Sequence, residues 1–330
     1  MLEGFDFNKN IYIIYGPTVT GKTDLALHLA KKFNGELISA DSRQVYKGLD
    51  IGSGKLSIEQ LNDSTIKRLS NIWIVDGIKI HGFDLVSPGI QFTVADFVKF
   101  ANTAMIQIIN RNKQPIIVGG TAFYIKSILD GIDTLGIPKD LKLRKKLEKL
   151  SVQDLYRKLL KVDINRAQKM NESDRANPRR LIRAIEITIY NKKQEIRNKK
   201  QAATIYNLKP KTYNLICLSA PNPYLYKRAD YWLEERLKKG LIEEVKRLLD
   251  KKVDSIWLNN LGLEYRWITR FCLGNISQQQ ATDRLKGDIH NLIRKQKTWF
   301  TKFEKKRIFD ISKKNWQEGI EKILQDCTII

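Results

Sequence analysis

A chain of 330 residues with 42% apolar side chains can bury a sizeable core and hold two domains, which excludes general disorder. Its net charge of +23 is uneven, since residues 139–211 carry 22 lysines and arginines against 8 acidic residues while residues 1–138 carry 14 against 13. A cationic excess confined to one stretch points to a polyanionic partner, because clustered cations release counterions from nucleic acid.

Cys217, Cys272 and Cys327 are far apart, as are His28, His81 and His290, with no CxxC or metal-ligand spacing. A reducing compartment and no structural zinc are expected. The start, MLEGFDFNKN, lacks the basic and apolar regions of a signal peptide, and no run approaches the ~18 apolar residues of a membrane span. The expected location is cytoplasmic.

In chain order, IYIIY at 11–15 predicts a β-branched and aromatic strand, 22–33 a helix and ELISA at 36–40 a second strand. IWIV at 72–75 and PIIVGG at 115–120 predict two more buried strands, with the helical pattern FVKFANTAMIQIIN between them. This opening predicts an α/β fold on a parallel sheet. From about 138 to 205 the pattern turns helical and basic, through KLRKKLEKL, VQDLYRKLLKV and PRRLIRAIEITIYNKKQ. TYNLICLSA at 212–220 restores a strand, NPYLYKRADYWLEERLKKGLIEEVKRLLDKK is helical with a break at Gly240, 278–303 is helical, and RIFDI closes with a short strand. The expected architecture is a P-loop NTPase-like α/β core over 1–137, a basic helical insertion domain over 138–208, and completion of the core over 209–330.

Between the first strand and helix stands GPTVTGKT, residues Gly16, Pro17, Thr18, Val19, Thr20, Gly21, Lys22 and Thr23, which matches GxxxxGK[ST] in its required strand–turn–helix setting. The glycines let several amides face one anion, the helix N-terminus adds positive potential, Lys22 reaches terminal phosphate oxygens, and the Thr23 hydroxyl is a ligand for Mg²⁺. Taken alone, this loop predicts a kinase or NTPase, with Asp41 or Asp76 as a second metal-holding carboxylate.

Four further blocks change that expectation: ISADSRQVYKGLDIGSGK, VGGTAFYIKSILDG, NPRRLIRAIEI and RKQKTWF. Together with the phosphate loop they run in order from about 11 to 303, and in this the chain resembles the bacterial tRNA isopentenyltransferases, the tRNA dimethylallyltransferase family. The resemblance implies transfer of a dimethylallyl group from its diphosphate to the exocyclic amine of adenosine 37 in tRNA. The loop would then grip the diphosphate leaving group. It further implies Asp41 as the base that takes the amine proton, Thr121 as a steadying group for the acceptor, and Lys22 and Arg228 as cations on the diphosphate, with Mg²⁺ on Thr23. For RNA it implies contacts from Asp41, Ser42, Arg43, Gln44 and Thr121, and from Arg144, Arg180 and Arg183 on the anticodon stem-loop. Arg180 and Arg183 lie three apart and share a helix face, with Leu181, Ile185 and Thr188 on another. A monomer is expected. The chain departs from the family pattern at Trp232, where a second arginine is usual and where Arg228 or Arg236 could compensate, and at Leu263, where a tyrosine is usual. Other readings are a small-molecule kinase or NTPase, an adenylate prenyltransferase, and a nucleic-acid-binding protein without catalysis.

Overall fold

The computed structural model describes residues 10–56, 66–131, 134, 137–196, 210, 212–304 and 306–326, with the backbone alone at 194–196 and 326. The first nine residues, the helical stretch expected beyond 196, and Cys327 lie outside the described residues. The chain divides into two compact units, residues 1–131 with 208–330, and residues 132–207.

The first unit is built on an eight-stranded sheet. Its strands in chain order are β1 (Ile11–Tyr15), β2 (Gly35–Ser39), β3 (Lys67–Leu69), β4 (Ile72–Val75), β5 (Ile78–His81), β6 (Gln114–Gly119), β7 (Tyr213–Ser219) and β8 (Arg307–Asp310), arranged β3-β4-β5-β2-β6-β1-β7-β8. From β5 to β8 every neighbouring pair is parallel. β1, β2 and β6 are buried along their whole length, which is why their sequences are nearly continuous apolar runs instead of alternating ones. The fold is the expected mixed α/β, with one correction at its edge. IWIV is not a parallel strand: as β4 it pairs antiparallel with both β3 and β5. The β4–β5 turn is Asp76-Gly77, both at positive φ (49° and 77°), the geometry a two-residue hairpin needs to follow the strand twist.

Helices of this unit are α1 (Lys22–Lys32), α2 (Val94–Asn110), α3 (Ala122–Asp130), then, after the second unit, α9 (Asn222–Lys238), α10 (Leu241–Asp250), α11 (Ser255–Leu261), α12 (Leu263–Cys272), α13 (Gln278–Phe300) and α14 (Trp316–Asp326). α2 and α13 start in full capping boxes, Thr93 with Asp96 and Ser277 with Gln280, each satisfying backbone donors that a helix start leaves open. Gly240 joins α9 to α10 in the left-handed region, φ 105°, where the helical pattern breaks.

The second unit is helical: α4 (Leu141–Leu147), α5 (Val152–Val162), α6 (Ile164–Lys169), α7 (Glu172–Arg175) and α8 (Pro178–Ile196). Its core is small, with Leu155 and Leu159 of α5 and Leu181 and Ile185 of α8 fully buried. Among the described residues no helix is long and apolar enough to cross a membrane.

Candidate active site

Parallel strands deliver functional groups at their carboxyl ends, and adjacent strands deliver them side by side. β1 runs into the phosphate loop 16–23, β2 into Asp41, β6 into Gly120 and Thr121, and β7 into α9, which carries Arg228. Four segments distant in sequence thus meet on one edge of the sheet.

The loop packs tightly against its neighbours. A Cβ at Gly16 would sit 2.2 Å from the Leu218 carbonyl oxygen, so only glycine fits there. At Gly120 a Cβ would lie 2.8 Å from Gln296 Nε2, 3.7 Å from Gly16 O and 4.0 Å from Asp41 Oδ2. That one point is flanked by the first residue of the phosphate loop, by the Asp41 carboxylate and by a side chain of α13.

Within the loop, Lys22 Nζ donates to Pro17 O at 2.6 Å and to Thr20 Oγ1 at 3.4 Å, while Thr20 Oγ1 donates to Pro17 O at 2.9 Å. Burial depresses the Lys22 ammonium to about 8, even though Asp41 and Cys217 nearby favour its charge. Arg228 Nε donates to Val19 O at 2.9 Å. Gln296 ties the loop to the turn after β6, accepting from Thr18 N at 3.0 Å and donating to Gly120 O at 3.0 Å. Thr23 lies in the first turn of α1, half-buried beside Lys22. The Thr23 hydroxyl is a hard oxygen of the kind Mg²⁺ takes from a protein when phosphate and water fill its other positions, and it is the group here that would hold such an ion. Among the described residues no group of three or more His, Cys, Asp or Glu could hold a metal on its own.

The turn after β2 is held as a unit. Asp41 Oδ1 accepts from Arg43 N at 2.9 Å, and Thr121 Oγ1 accepts from Ser42 N at 3.1 Å and donates to Ser42 Oγ at 3.4 Å. Arg43 pairs with Glu264 of α12 at 2.5 Å. Burial opposes its charge, but Glu264 and Asp41 more than offset that and raise its pKa. Gln44 accepts from Ser39 Oγ at 2.6 Å and donates to Gly54 O at 2.9 Å. The side chains of Arg43 and Gln44 are therefore committed to the protein, and Ser42 is the exposed member of the trio.

Arg236, buried at 4% exposure, stacks over Trp232 at 4.1 Å and donates to Ile51 O and Leu56 O. It is spent on the 51–56 segment, which leaves Arg228 as the α9 cation at the phosphate loop.

In the second unit, Arg144 grips Glu186 with both Nε (2.8 Å) and Nη2 (2.7 Å), and Arg183 pairs with the same carboxylate at 2.5 Å and with Ile137 O at 3.0 Å. Arg180 is half-exposed and pairs with Asp174. Arg180 and Arg183 thus point to different partners despite their spacing. Leu181, Ile185 and Thr188 are buried, as their own face requires. A cavity of about 430 Å³ between the start of α4 and α8 is rimmed by Lys139, Lys142 and Lys193 and walled by Leu143, Ile189 and Tyr190.

Gln296, Glu264 and Glu244 make contacts that sequence pattern alone does not predict. Only Gln296 carried a signal, its place inside RKQKTWF.

A family model described as IPP transferase matches residues 44–303. The chain belongs to the IPP transferase family. It is 35% identical over 324 residues to tRNA dimethylallyltransferase 2 of Shewanella sediminis, covering 98% of each chain, and 33% identical to the tRNA dimethylallyltransferase of Acetivibrio thermocellus, covering 96% of each. The crystal structure of the tRNA isopentenylpyrophosphate transferase of Bacillus halodurans superimposes with a TM-score of 0.66 at 29% identity, over 97% of this chain and 96% of that one. A eukaryotic dimethylallyltransferase captured acting on tRNA shares the fold, with a TM-score of 0.73 at 23% identity, over 92% of this chain and 74% of that one.

Proposed function

We propose that this IPP transferase family member moves the dimethylallyl group of dimethylallyl diphosphate onto the exocyclic N6 amine of adenosine 37 in tRNA and releases diphosphate. The observation that carries this reading is the single point at Gly120 flanked by the phosphate loop and by Asp41. A prenyl transfer needs a carboxylate that takes the proton of the nucleophile beside the group that holds the leaving diphosphate, and Asp41 stands next to the phosphate loop.

The adenine amine is a poor nucleophile, so Asp41 accepts its proton as the C–N bond forms. The Arg43 amide fixes one carboxylate oxygen and leaves the other toward Gly120. Thr121, locked to Ser42, steadies the acceptor. Negative charge builds on the departing diphosphate, and the loop amides, Lys22 and Arg228 stabilise it. Both cations now rest on backbone carbonyls of the loop and exchange them for phosphate oxygens when the donor binds. Thr23 would hold Mg²⁺, whose contribution is to neutralise diphosphate charge.

The target base must leave the anticodon stack to reach this point, which costs a few kcal/mol, recovered through contacts to neighbouring nucleotides. The cationic second unit supplies such contacts to the anticodon stem-loop. Arg144 and Arg183 contribute by shaping that unit around Glu186, whereas Arg180 and the lysines at the cavity rim face the phosphates. A tRNA substrate places the protein in the cytoplasm, and we take it to act as a monomer.

Purified protein given labelled dimethylallyl diphosphate and unmodified tRNA is expected to form N6-dimethylallyl adenosine at position 37, read by nucleoside mass spectrometry, without hydrolysing ATP. Asp41→Ala should lower turnover at least ~10³-fold while RNA affinity stays within about two-fold. ATP hydrolysis without prenyl transfer, or Asp41→Ala turnover within a few-fold of wild type, would overturn the assignment.

A further inference from the structure

Glu244 of α10 is 3% exposed, yet it carries no part of the chemistry described above. Its Oε2 accepts from the backbone amides of Asp50 (2.8 Å) and Ile51 (2.7 Å), and its Oε1 accepts from the amide of Gly52 (3.0 Å) and from Tyr265 OH (2.9 Å). Burial pushes this carboxyl up against the pull of those donors. A buried carboxylate is a costly way to fill space, and apolar packing would serve stability as well. Three consecutive amides on one carboxylate instead fix a stretch of main chain in a single conformation.

That stretch is clamped from its other sides too. Arg236 holds the carbonyls of Ile51 and Leu56, and the fully buried Lys55 bonds Asp50 (2.7 Å), Asp84 (2.5 Å) and Tyr46 O (2.9 Å). A Cβ at Gly52 would stand 2.8 Å from the Tyr265 ring, so the chain here presses directly on Tyr265. The next residues pass the constraint to the site. Gln44 Nε2 donates to Gly54 O at 2.9 Å and to Ser53 O at 3.4 Å, while its Oε1 accepts from Ser39 Oγ, the last residue of β2. Asp41 lies on the short arc between Ser39 and Gln44.

We propose that Glu244 is a positioning residue for the transfer reaction: it sets the main chain of 50–54, which sets Gln44 and, through it, the turn that aims Asp41. This rests on the prenyl-transfer reading of Asp41. Displacements of about 1 Å at a reacting group cost ~10²-fold in rate, so the effect falls on turnover and spares the donor, which the loop binds by itself.

Steady-state transfer, donor affinity by equilibrium binding, and thermal stability are measured on the full chain for wild type, Glu244→Gln, Glu244→Ala, Gln44→Ala and the Glu244→Gln/Gln44→Ala double variant. In Glu244→Gln the side-chain NH2 faces donors whichever way the amide turns, so a backbone N–H loses its acceptor. Expected are kcat losses of about ten-fold for Glu244→Gln and about a hundred-fold for Glu244→Ala, donor affinity within about two-fold, and little further loss from Glu244→Gln in the Gln44→Ala background. Leu248→Ala, which empties a buried apolar position on the same helix, is the control: it should lower stability while kcat of the folded enzyme holds. Wild-type kcat in folded Glu244→Gln, or losses that multiply in the double variant, would overturn the positioning role while leaving the prenyl-transfer reading intact. Absence of transfer by wild type would bring down both.

Discussion

At the phosphate loop, Lys22 and Arg228 rest on backbone carbonyls, those of Pro17 and Val19. In the helical unit, Arg144 and Arg183 rest on a carboxylate, Glu186, which is almost wholly buried. A neutral carbonyl gives up its donor to an incoming anion at small cost, since the exchange trades one hydrogen bond for a charge-assisted one. A buried carboxylate does not, because releasing its partners strands a charge away from water. The same residue types are therefore working parts in one unit and framework in the other. Net charge along a sequence does not distinguish them; the partner does.

Among the cations compared, the largest expected effect lies at the loop. Lys22→Ala should lower kcat ~10²–10³-fold, the cost of removing one preorganised donor from developing charge, with RNA affinity unchanged by filter binding. A loss below ten-fold would mean that Lys22 stays on Pro17 throughout turnover, and the contrast would fail. Next comes the framework carboxylate. Glu186→Gln should cost the helical unit about 3 kcal/mol of stability, seen in denaturant unfolding, because two arginines lose one shared partner. Unchanged stability would return Arg144 and Arg183 to the RNA-facing set. The same residue makes a pH prediction. Burial would raise the Glu186 carboxyl, but Arg144, Arg183 and the Asp140 amide bring it down to about 2. A depressed carboxyl contributes stability that is present above its unfolded pKa and is lost on acidification toward the folded one. Acid unfolding followed from pH 7 downward should accordingly lose stability below about 4.5 and approaching 2, and Glu186→Gln should remove that component. Glu36 in the α/β unit, also about 2 through His81 and Arg111 against the upward push of burial, supplies a second such component that the variant leaves untouched. The smallest effect sharpens the comparison from the other side. Arg180→Ala breaks an exposed pair and should change stability by less than ~1 kcal/mol, yet it should reduce the salt slope of RNA binding by about one. An unaltered slope would leave Arg180 facing solvent alone.

Much of this was legible in one dimension. IYIIY, ELIS and PIIVG are buried parallel strands, and their apolar character follows from being covered on both faces. The phosphate loop, Asp41 and Thr121 are each signalled by short local patterns, and the strand order brings them together. The hairpin at the sheet edge was also signalled, by Asp76-Gly77 between two apolar runs, but IWIV taken alone mimics a buried strand. The supporting carboxylates were not legible. Glu244 sits on an amphipathic helix like any surface glutamate, and the amides it holds lie more than 190 residues away. Glu264 and Glu186 are hidden for the same reason: a carboxylate declares its role through what folds against it.

Gln296 joins the Thr18 amide to the Gly120 carbonyl, and so links the loop to the carboxylate's wall with a side chain from late in the chain. A ribosome would release the phosphate loop, the proton acceptor and the whole cationic unit long before that strut emerges. The nascent protein would then hold every reactive group and lack their alignment, so that competence waits for α13.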